Sequence, residues 1–271
     1  MLSLLPLATG ILVVLFAGIT QGLTSFGFAL IAVPFLSMLV PIAEVVPIVV
    51  ILSLGTNLIM LSQTFRRIEF RKIGLLVVSS LIAVPFGTLA LIYIVPNTIK
   101  AVVGVVIILV SGVMLTGMRF PVRSEKIALV PIGMLSGFLN GSISMSGPPV
   151  ALFMSNQNED KEVFRANLTI YATILNVFTI TSFIVSGVLT SNVIAYSVWL
   201  IPAMIVGVLL GGLLETRINQ TLFKRIALCL ILASGIWTMI GVFVGPVIHT
   251  LSPTSGRVAE AILREVSRNA G

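Results

Sequence analysis

The sequence has very few charged residues: Asp, Glu, Lys and Arg make up 9% of the chain, whereas 57% of its residues are hydrophobic. Soluble domains carry about 25% charged residues, so a chain of this composition cannot cover a surface that faces water. Its apolar runs repeatedly approach the roughly 20 residues that a helix needs to cross a bilayer. It lacks the alternation of apolar and polar residues over about ten positions that a membrane β-barrel requires. We therefore predict an all-α integral membrane protein.

The sequence is equally poor in residues that perform chemistry. Cys229 is its only cysteine and His249 its only histidine, which excludes an intramolecular disulfide and a multi-thiolate metal site. These two residues, with no buried acid beside them, supply neither a nucleophile–base pair nor a metal cluster for an intramembrane enzyme. The sequence also has no Walker motif for ATP-driven transport. We predict that the protein is not an enzyme and binds no metal or cofactor.

The few charges that are present lie between the apolar runs. No Asp, Glu, Lys, Arg or His falls in the middle of a predicted span, so no buried carboxylate relay for proton coupling is visible. Coupling to Na⁺ and passive exit of an anion both remain open. The net charge of +7 comes mostly from the loops, so we expect membrane lipids and a small anionic substrate as partners, and no nucleic acid. The oligomeric state stays open.

The apolar runs divide into about ten membrane segments, two of which are short. The predicted segments are 3–21, 26–40, 44–64, 73–94, 98–118, 126–141, 147–157, 164–186, 191–214 and 222–246. The short second and seventh segments are candidates for half-helices or for parts of re-entrant hairpins, so eight to ten membrane segments are allowed. The apolar start of the chain lacks the positive charges of a signal peptide, and we expect it to be the first membrane helix.

One motif occurs twice in the sequence, at a constant offset of 119 residues. The equivalent pairs are Gly18 and Gly137, Gln21 and Asn140, Gly22 and Gly141, Ser25 and Ser144, and, further along, Asn57 and Asn176. A membrane chain made of two copies of one unit, each interrupted by Gly, Ser or Pro, is typical of a secondary transporter. We predict an N-terminal repeat over residues 1–120, a C-terminal repeat over 121–250 and an extramembrane tail over 251–271.

The basic loops predict the orientation of the two repeats. Positively charged residues cluster in three loops, which follow the third, fifth and ninth segments and so share one face. These clusters are Arg66, Arg67, Arg71 and Lys72; Arg119, Arg123 and Lys126; and Arg217, Lys224 and Arg225. Because such loops face the cytoplasm, we predict a protein of the cytoplasmic (inner) membrane with both termini extracytoplasmic. Five segments per repeat is an odd number, so the two repeats should have inverted topology.

The second copy of the motif suggests an anion site. Pro148 and Pro149 would break a helix, and a helix that restarts near Gly147 would direct free N–H groups and a positive dipole end into the protein. Non-helical backbone at that depth is tolerated only where it is buried in protein or lines a wet cavity. The predicted substrate-binding residues are Gln21, Thr24, Ser25, Asn57, Asn140, Ser142, Ser144, Ser146, Gly147, Pro148, Arg165 and Asn176.

Each of these residue types also has a purely structural explanation. Gly-x-x-x-Gly is a packing pattern of transmembrane helices, and a buried asparagine can simply bond a neighbouring helix. Arg165 can be an ordinary positive-inside anchor, or a guanidinium at the cytoplasmic mouth or wall of the anion site, since its fork matches the oxygens of a sulfonate. The sequence alone leaves both interpretations open.

The paired motifs resemble a known family. The two glycine-rich copies, the Gly147-Pro148-Pro149 variant in the second copy, and Phe164–Leu168 leading into Asn176 are similar to the sulfite exporter TauE/SafE family, over about residues 10–245. The resemblance implies a membrane permease for sulfite or organosulfonates. We therefore expect a secondary transporter or facilitator that moves such an anion through a midplane site at the repeat interface. An anion channel, or a transporter of another small carboxylate or oxyanion, is the alternative.

Overall fold

The computed structural model describes residues 4–116, 125–155 and 160–215, together with seven separate positions between 229 and 240. Within these ranges the chain forms helices and no strand, which confirms the predicted all-α fold. The helices are α1 (Leu4–Thr24), α2 (Phe28–Leu36), α3 (Ile42–Thr64), α4 (Phe70–Tyr93), α5 (Pro96–Thr116), α6 (Glu125–Ile143), α7 (Gly147–Ser155), α8 (Lys161–Val185) and α9 (Ser191–Leu214). A single 3-10 turn, Phe65–Arg67, joins α3 to α4.

Six of the described helices are long and apolar enough to cross a membrane: α1, α3, α4, α5, α8 and α9. The apolar part of α6, Ala128–Ile143, is shorter. Helices α2 and α7 have nine residues each, which is about 13 Å of helix against a hydrocarbon core of about 30 Å. The predicted second and seventh segments are therefore short helices that cannot span the bilayer alone.

Several sequence predictions fall outside the part of the chain that the structure describes. These are the tail over 251–271, most of the tenth segment, and the basic loops that contain Arg119 and Arg217. The orientation of the termini is likewise left as a prediction.

The two short helices follow the same kind of backbone break. Ser25 interrupts the chain between α1 and α2 with a φ of 72°, and Ser144 does so between α6 and α7 with a φ of 62°. They are the two described non-glycine residues with a positive φ, a conformation that is costly for residues with a Cβ and cannot continue a right-handed helix. Each serine amide still bonds back to the motif residue four positions earlier, Gln21 (2.7 Å) or Asn140 (3.0 Å). The break therefore recurs at the offset of the repeated motif.

The motif glycines bring helices into close contact. A Cβ added at Gly22 of α1 would lie 2.6 Å from the carbonyl oxygen of Val208 on α9, and one added at Gly141 of α6 would lie 2.8 Å from the backbone nitrogen of Thr88 on α4. Helix α1 thus packs on α9 as α6 packs on α4. The Gly-x-x-x-Gly pattern serves packing here, as small residues in membrane helices commonly do.

The interior is built around α2 and α3 in the first half and around α7 and α8 in the second. Buried apolar side chains form two clusters: the larger contains most of the buried side chains of α2 and α3, and the smaller draws on α4, α7 and α8. Phe26, at the first break, packs against both. Large apolar side chains such as Phe16, Phe86, Trp199 and Leu213 are instead exposed on α1, α4 and α9. Because a soluble domain would not present so many of them, these faces suit the hydrocarbon of a membrane. Helices α3 and α8, which carry Asn57 and Asn176, pack against each other.

Candidate functional site

A small cavity of about 30 Å³ lies between the two backbone breaks. The breaks contact each other directly, since a Cβ added at Gly147 would lie 2.7 Å from the Cβ of Phe26. The lining residues come from both halves of the chain. They are Gln21, Ser25, Phe26, Phe28, Ala29, Leu30, Ser53 and Asn57 from the first half, and Asn140, Ser144, Met145, Ser146, Gly147, Pro148, Leu168, Ala172 and Asn176 from the second. One water needs about 10–15 Å³ of such space, so the cavity has room for about two water-sized groups.

In the first half, Gln21 organises the polar side of the cavity. Its Nε2 donates to Asn57 Oδ1 at 3.0 Å and to the Ser25 carbonyl oxygen at 3.2 Å. Its Oε1 accepts from the backbone N–H of Phe28, the first residue of α2, at 3.0 Å. Gln21 therefore ties α1 to α3 and also caps the helix that follows the break. These bonds use the oxygen of Asn57 and leave its NH₂ group as a donor.

In the second half, Asn140 stands in the position of Gln21. Its Nδ2 donates to Asn176 Oδ1 at 3.2 Å and to Thr179 Oγ1 at 2.8 Å. As in the first half, the bond uses the oxygen of the α8 asparagine and leaves the NH₂ group of Asn176 as a donor. All four amide side chains are at least 96% buried. The motif positions thus form two polar pairs of the same kind, one from each half, on one cavity.

The side-chain hydroxyls of the two serines at the breaks have no hydrogen-bond partner among the described residues. The hydroxyl oxygens of Ser25 and Ser144 are both buried, and neither makes a hydrogen bond. Both residues line the cavity, and both adopt the left-handed conformation described above. A buried hydroxyl without a partner costs about 1–3 kcal/mol, and backbone strain of this kind tends to persist where function requires it. The two serines therefore place two buried hydroxyls without a partner on the cavity.

The second break is further braced by a chain of hydroxyl groups. Tyr171 of α8 donates to Ser136 Oγ at 2.6 Å, and Ser136 donates to the Ser146 carbonyl oxygen, also at 2.6 Å. The Tyr171 hydroxyl also lies 2.7 Å from Ser80 Oγ on α4. At the offset of 119 the first half has Ala17 in place of Ser136 and Leu52 in place of Tyr171. This chain of bonds is therefore particular to the second half.

The start of α7 offers fewer donors than the sequence suggests. The helix begins at Gly147, as predicted, but Pro148 and Pro149 have no backbone N–H. Two of the first three residues of the helix therefore cannot donate to an anion. The donors of the cavity are mainly the hydroxyl and amide side chains.

Nine of the twelve predicted binding residues line this cavity, and Thr24, Ser142 and Arg165 do not. The Thr24 hydroxyl donates to the Thr20 carbonyl oxygen and that of Ser142 to the Phe138 carbonyl oxygen, one turn back on their own helices. Sequence reasoning missed Ser53, which lies one helical turn before Asn57 and so on the same face of α3. The apolar lining residues, such as Phe28 and Leu168, were not predicted either, because nothing distinguishes them from the other apolar residues of the sequence.

Arg165 lies at the loop end of α8, outside the cavity. Its Nη2 donates to the Gly22 carbonyl oxygen at 3.1 Å, and its Nη1 forms an ion pair with Glu215. Two residues further on, Asn167 Oδ1 accepts from the backbone N–H of Glu69 at 2.8 Å, just before α4 begins. The Phe164–Leu168 motif therefore fastens the loop ends of three helices to α8.

The lining of the cavity contains hydrogen-bond donors but no charged side chain among the described residues. Nor does the described part of the chain hold a group of three or more His, Cys, Asp or Glu residues that could bind a metal ion. Neutral donors can hold a small anion without burying a fixed charge, which is expensive inside a membrane. With six apolar spans and a polar cavity between two helix breaks, the protein has the features of a multi-pass membrane transporter.

The family comparison agrees with this class. The family model described as sulfite exporter TauE/SafE matches residues 10–253. The chain therefore belongs to the TauE/SafE family, whose members are membrane transporters of the sulfite and sulfonate type. No curated protein and no solved structure matches the chain.

Proposed function

We propose that the protein is a carrier for a small sulfur oxyanion, sulfite or the –SO₃⁻ head of an organosulfonate, and that the anion binds in the cavity between the two breaks. The hydroxyls of Ser25 and Ser144 and the amide NH₂ groups of Asn57 and Asn176 donate to its oxygens. An oxyanion with three oxygens on one centre can accept from donors on several sides at once. The site would lie near the middle of the membrane, between the repeats.

The observation that carries the proposal is the pair of serine hydroxyls without partners. Ser25 and Ser144 occupy equivalent positions of the repeated motif, adopt the same strained backbone conformation and border the same cavity. A packing role for these residues does not explain the unpaired hydroxyls, because a packing residue gains nothing from a buried hydroxyl without a partner. An anion between them would satisfy both hydroxyls.

We further propose that the two halves are related by a two-fold axis in the membrane plane. The paired packing of α1 on α9 and of α6 on α4, and the equivalent Gln21–Asn57 and Asn140–Asn176 bonds, support this relation. In such a protein, rocking one half against the other exposes a fixed site to each side in turn. The two breaks meet at the cavity, so movement of either half would change access to it.

Transport and binding measurements with matched variants test the proposal. Ser25→Ala and Ser144→Ala should each weaken sulfite binding by roughly 10- to 100-fold, since a hydrogen bond to a charged group is worth about 1.5–3 kcal/mol. Thr24→Ala and Ser142→Ala are the controls, because these neighbouring hydroxyls bond to their own helices. Binding would be followed calorimetrically in detergent, and uptake of labelled sulfite in proteoliposomes. If all four variants behave alike, the site lies elsewhere.

The same assays separate a carrier from a channel. A carrier should show saturable uptake and counterflow, in which an outward gradient of unlabelled sulfite accelerates the accumulation of labelled sulfite. A cavity with room for only about two water-sized groups favours the carrier, because a pore that conducts through this site would need more space there. Flux that stays linear with concentration would favour the channel.

A further inference from the structure

A second, much larger cavity opens at the loop ends of α3, α8 and α9. Its volume is about 880 Å³, and we call it the vestibule. It is lined by Ser62, Gln63, Thr64, Phe65, Arg66, Arg67, Lys161, Glu162, Arg165 and Glu215. Four of these described residues are cations and two are carboxylates, so the lining carries an excess of positive charge. The predicted topology places it on the cytoplasmic side.

The innermost cation of the vestibule is held by a shared carboxylate. Glu215, at the end of α9, pairs with Arg165 and also with Lys161, whose Nζ lies 2.7 Å from Oε1. The same carboxylate thus contacts both cations. The Arg165 side chain is only 12% exposed, and its Nε is buried without a hydrogen-bond partner. The guanidinium therefore has a donor left unused although it already makes an ion pair.

The vestibule and the small cavity lie along the same helix faces. On α8, Arg165 lines the vestibule, whereas Leu168, Ala172 and Asn176 line the small cavity. The spacings of three, seven and eleven residues place them on one face of the helix. From Arg165 to Asn176 the helix rises about 16 Å. On α3, Asn57 of the small cavity and Thr64 of the vestibule are seven residues apart, so this helix also presents one face to both.

Arg165 also touches the end of the first motif. Its Nη2 bonds the carbonyl oxygen of Gly22, the residue that follows Gln21 of the small cavity. Any group that draws the guanidinium away from this carbonyl would loosen the last turn of α1 next to the first break. At the offset of 119, the residue equivalent to Arg165 is Val46. This contact is therefore not repeated by an arginine in the first half.

We propose that the vestibule is a second anion-binding site, in which the –SO₃⁻ head of the substrate replaces the Glu215 carboxylate on Arg165 before it passes to the small cavity. The inference rests on the proposed function, because it assigns the same substrate a site on its way to the cavity. The fork of an arginine accepts two oxygens of an oxyanion as readily as those of a carboxylate. The unused Nε and the shared carboxylate make such an exchange favourable.

The two cavities differ in what they can hold. The vestibule has space for a whole organosulfonate, whereas the small cavity in this conformation has space for about two water-sized groups. An organosulfonate at Arg165 would therefore remain bound in the vestibule until the small cavity widens. Exchange at Arg165, which also holds Gly22, would link the arrival of an anion to movement at the first break.

Cysteine protection tests the vestibule directly. Ser62 is exposed and lines the vestibule, so Ser62→Cys would carry the probe thiol in a Cys229→Ser background. The modification rate of this thiol by neutral N-ethylmaleimide would be measured against the concentration of ethanesulfonate, with ionic strength held constant by chloride. Ethanesulfonate should slow the reaction, because a bound sulfonate fills the space beside residue 62.

The variants then separate the vestibule from the small cavity. Glu215→Gln should lower the half-protecting concentration roughly tenfold, because it removes the competing carboxylate, and Arg165→Gln should raise it roughly tenfold or more. Glu162→Gln is the matched control: it removes the same charge from the vestibule, but its carboxylate pairs with Arg67 at 3.1 Å, and a change of less than about threefold is expected. Protection should survive in the Ser25→Ala/Ser144→Ala double variant.

Any of three results would overturn the vestibule site. These are absence of protection, equal effects of Glu215→Gln and Glu162→Gln, and loss of protection in the serine double variant. If Arg165→Gln does not fold, two other variants serve as the test. They are Glu215→Gln, which preserves the side-chain shape, and Arg165→Lys. If the serine double variant transports sulfite at the wild-type rate while the protection pattern holds, the proposed function fails and the vestibule site stands.

Discussion

Replacing the two serines at the breaks should move stability and ligand binding in opposite directions. In the unliganded protein, Ser25→Ala and Ser144→Ala each remove a buried hydroxyl that has no partner. Leaving such a group unpaired costs about 1–3 kcal/mol, so the free energy of unfolding should stay equal or rise by up to that amount for each variant. Alanine keeps the backbone strain of the left-handed conformation, which therefore does not contribute to the difference.

With sulfite present, each variant should gain less stability from the ligand than the wild type does. A ligand at 100 times its Kd stabilises the folded state by about 2.7 kcal/mol. If one serine is lost and the Kd rises 10- to 100-fold, the same sulfite concentration should stabilise the variant by only about 1.4–0.4 kcal/mol. Unfolding of the purified protein in detergent, with and without sulfite, gives both quantities from one experiment.

Variants that are less stable without ligand and keep the full sulfite effect would contradict a role of the two hydroxyls in anion binding. Such a result would mean that the hydroxyls support the fold and do not touch the anion. Ser142→Ala is the control, since its hydroxyl bonds to the Phe138 carbonyl oxygen, and it should leave the sulfite effect unchanged.

Asn57→Ala and Asn176→Ala should each weaken sulfite binding roughly 10- to 100-fold, measured calorimetrically; an effect of one without the other would argue against a site shared by both halves. Gly141→Ala should lower the melting temperature because its Cβ would lie 2.8 Å from the Thr88 nitrogen, whereas Gly112→Ala, which has no atom within 4 Å, should not; equal melting temperatures would contradict the close packing of α6 on α4. A reporter fused to the C-terminus should signal from the extracytoplasmic side, and a cytoplasmic signal would rule out the predicted orientation.

Local signals in the sequence predict much of the fold. Hydropathy marks the spans because each must be about 20 apolar residues long. The restart of a helix at Gly147 follows from the two prolines after it. The recurrence of Ser25 at Ser144 predicts that the second break has a counterpart in the first half, although no proline follows Ser25 directly.

The direction of individual side chains is harder to predict. Ser142 and Ser144 are two residues apart in one motif, yet the first bonds to its own helix and only the second faces the cavity. The difference depends on the residue at which the backbone leaves the helix, which a serine-rich stretch does not reveal. For Arg165 the sequence allows either a positive-inside anchor or a guanidinium at the cytoplasmic mouth or wall of the anion site. Its bonds to Gly22 and Glu215 depend on the packing of α1 and α9, which lie far from it in sequence.

The most direct test of anion binding between the two breaks is to locate a bound oxyanion by anomalous scattering. Selenite is a pyramidal oxyanion with three oxygens, like sulfite, and selenium gives an anomalous signal in crystals of the protein grown with it. The proposed function predicts a principal selenium peak between Ser25 and Ser144, with selenite oxygens within about 3 Å of both hydroxyls. A principal peak elsewhere, with the small cavity empty at saturating selenite, would contradict it.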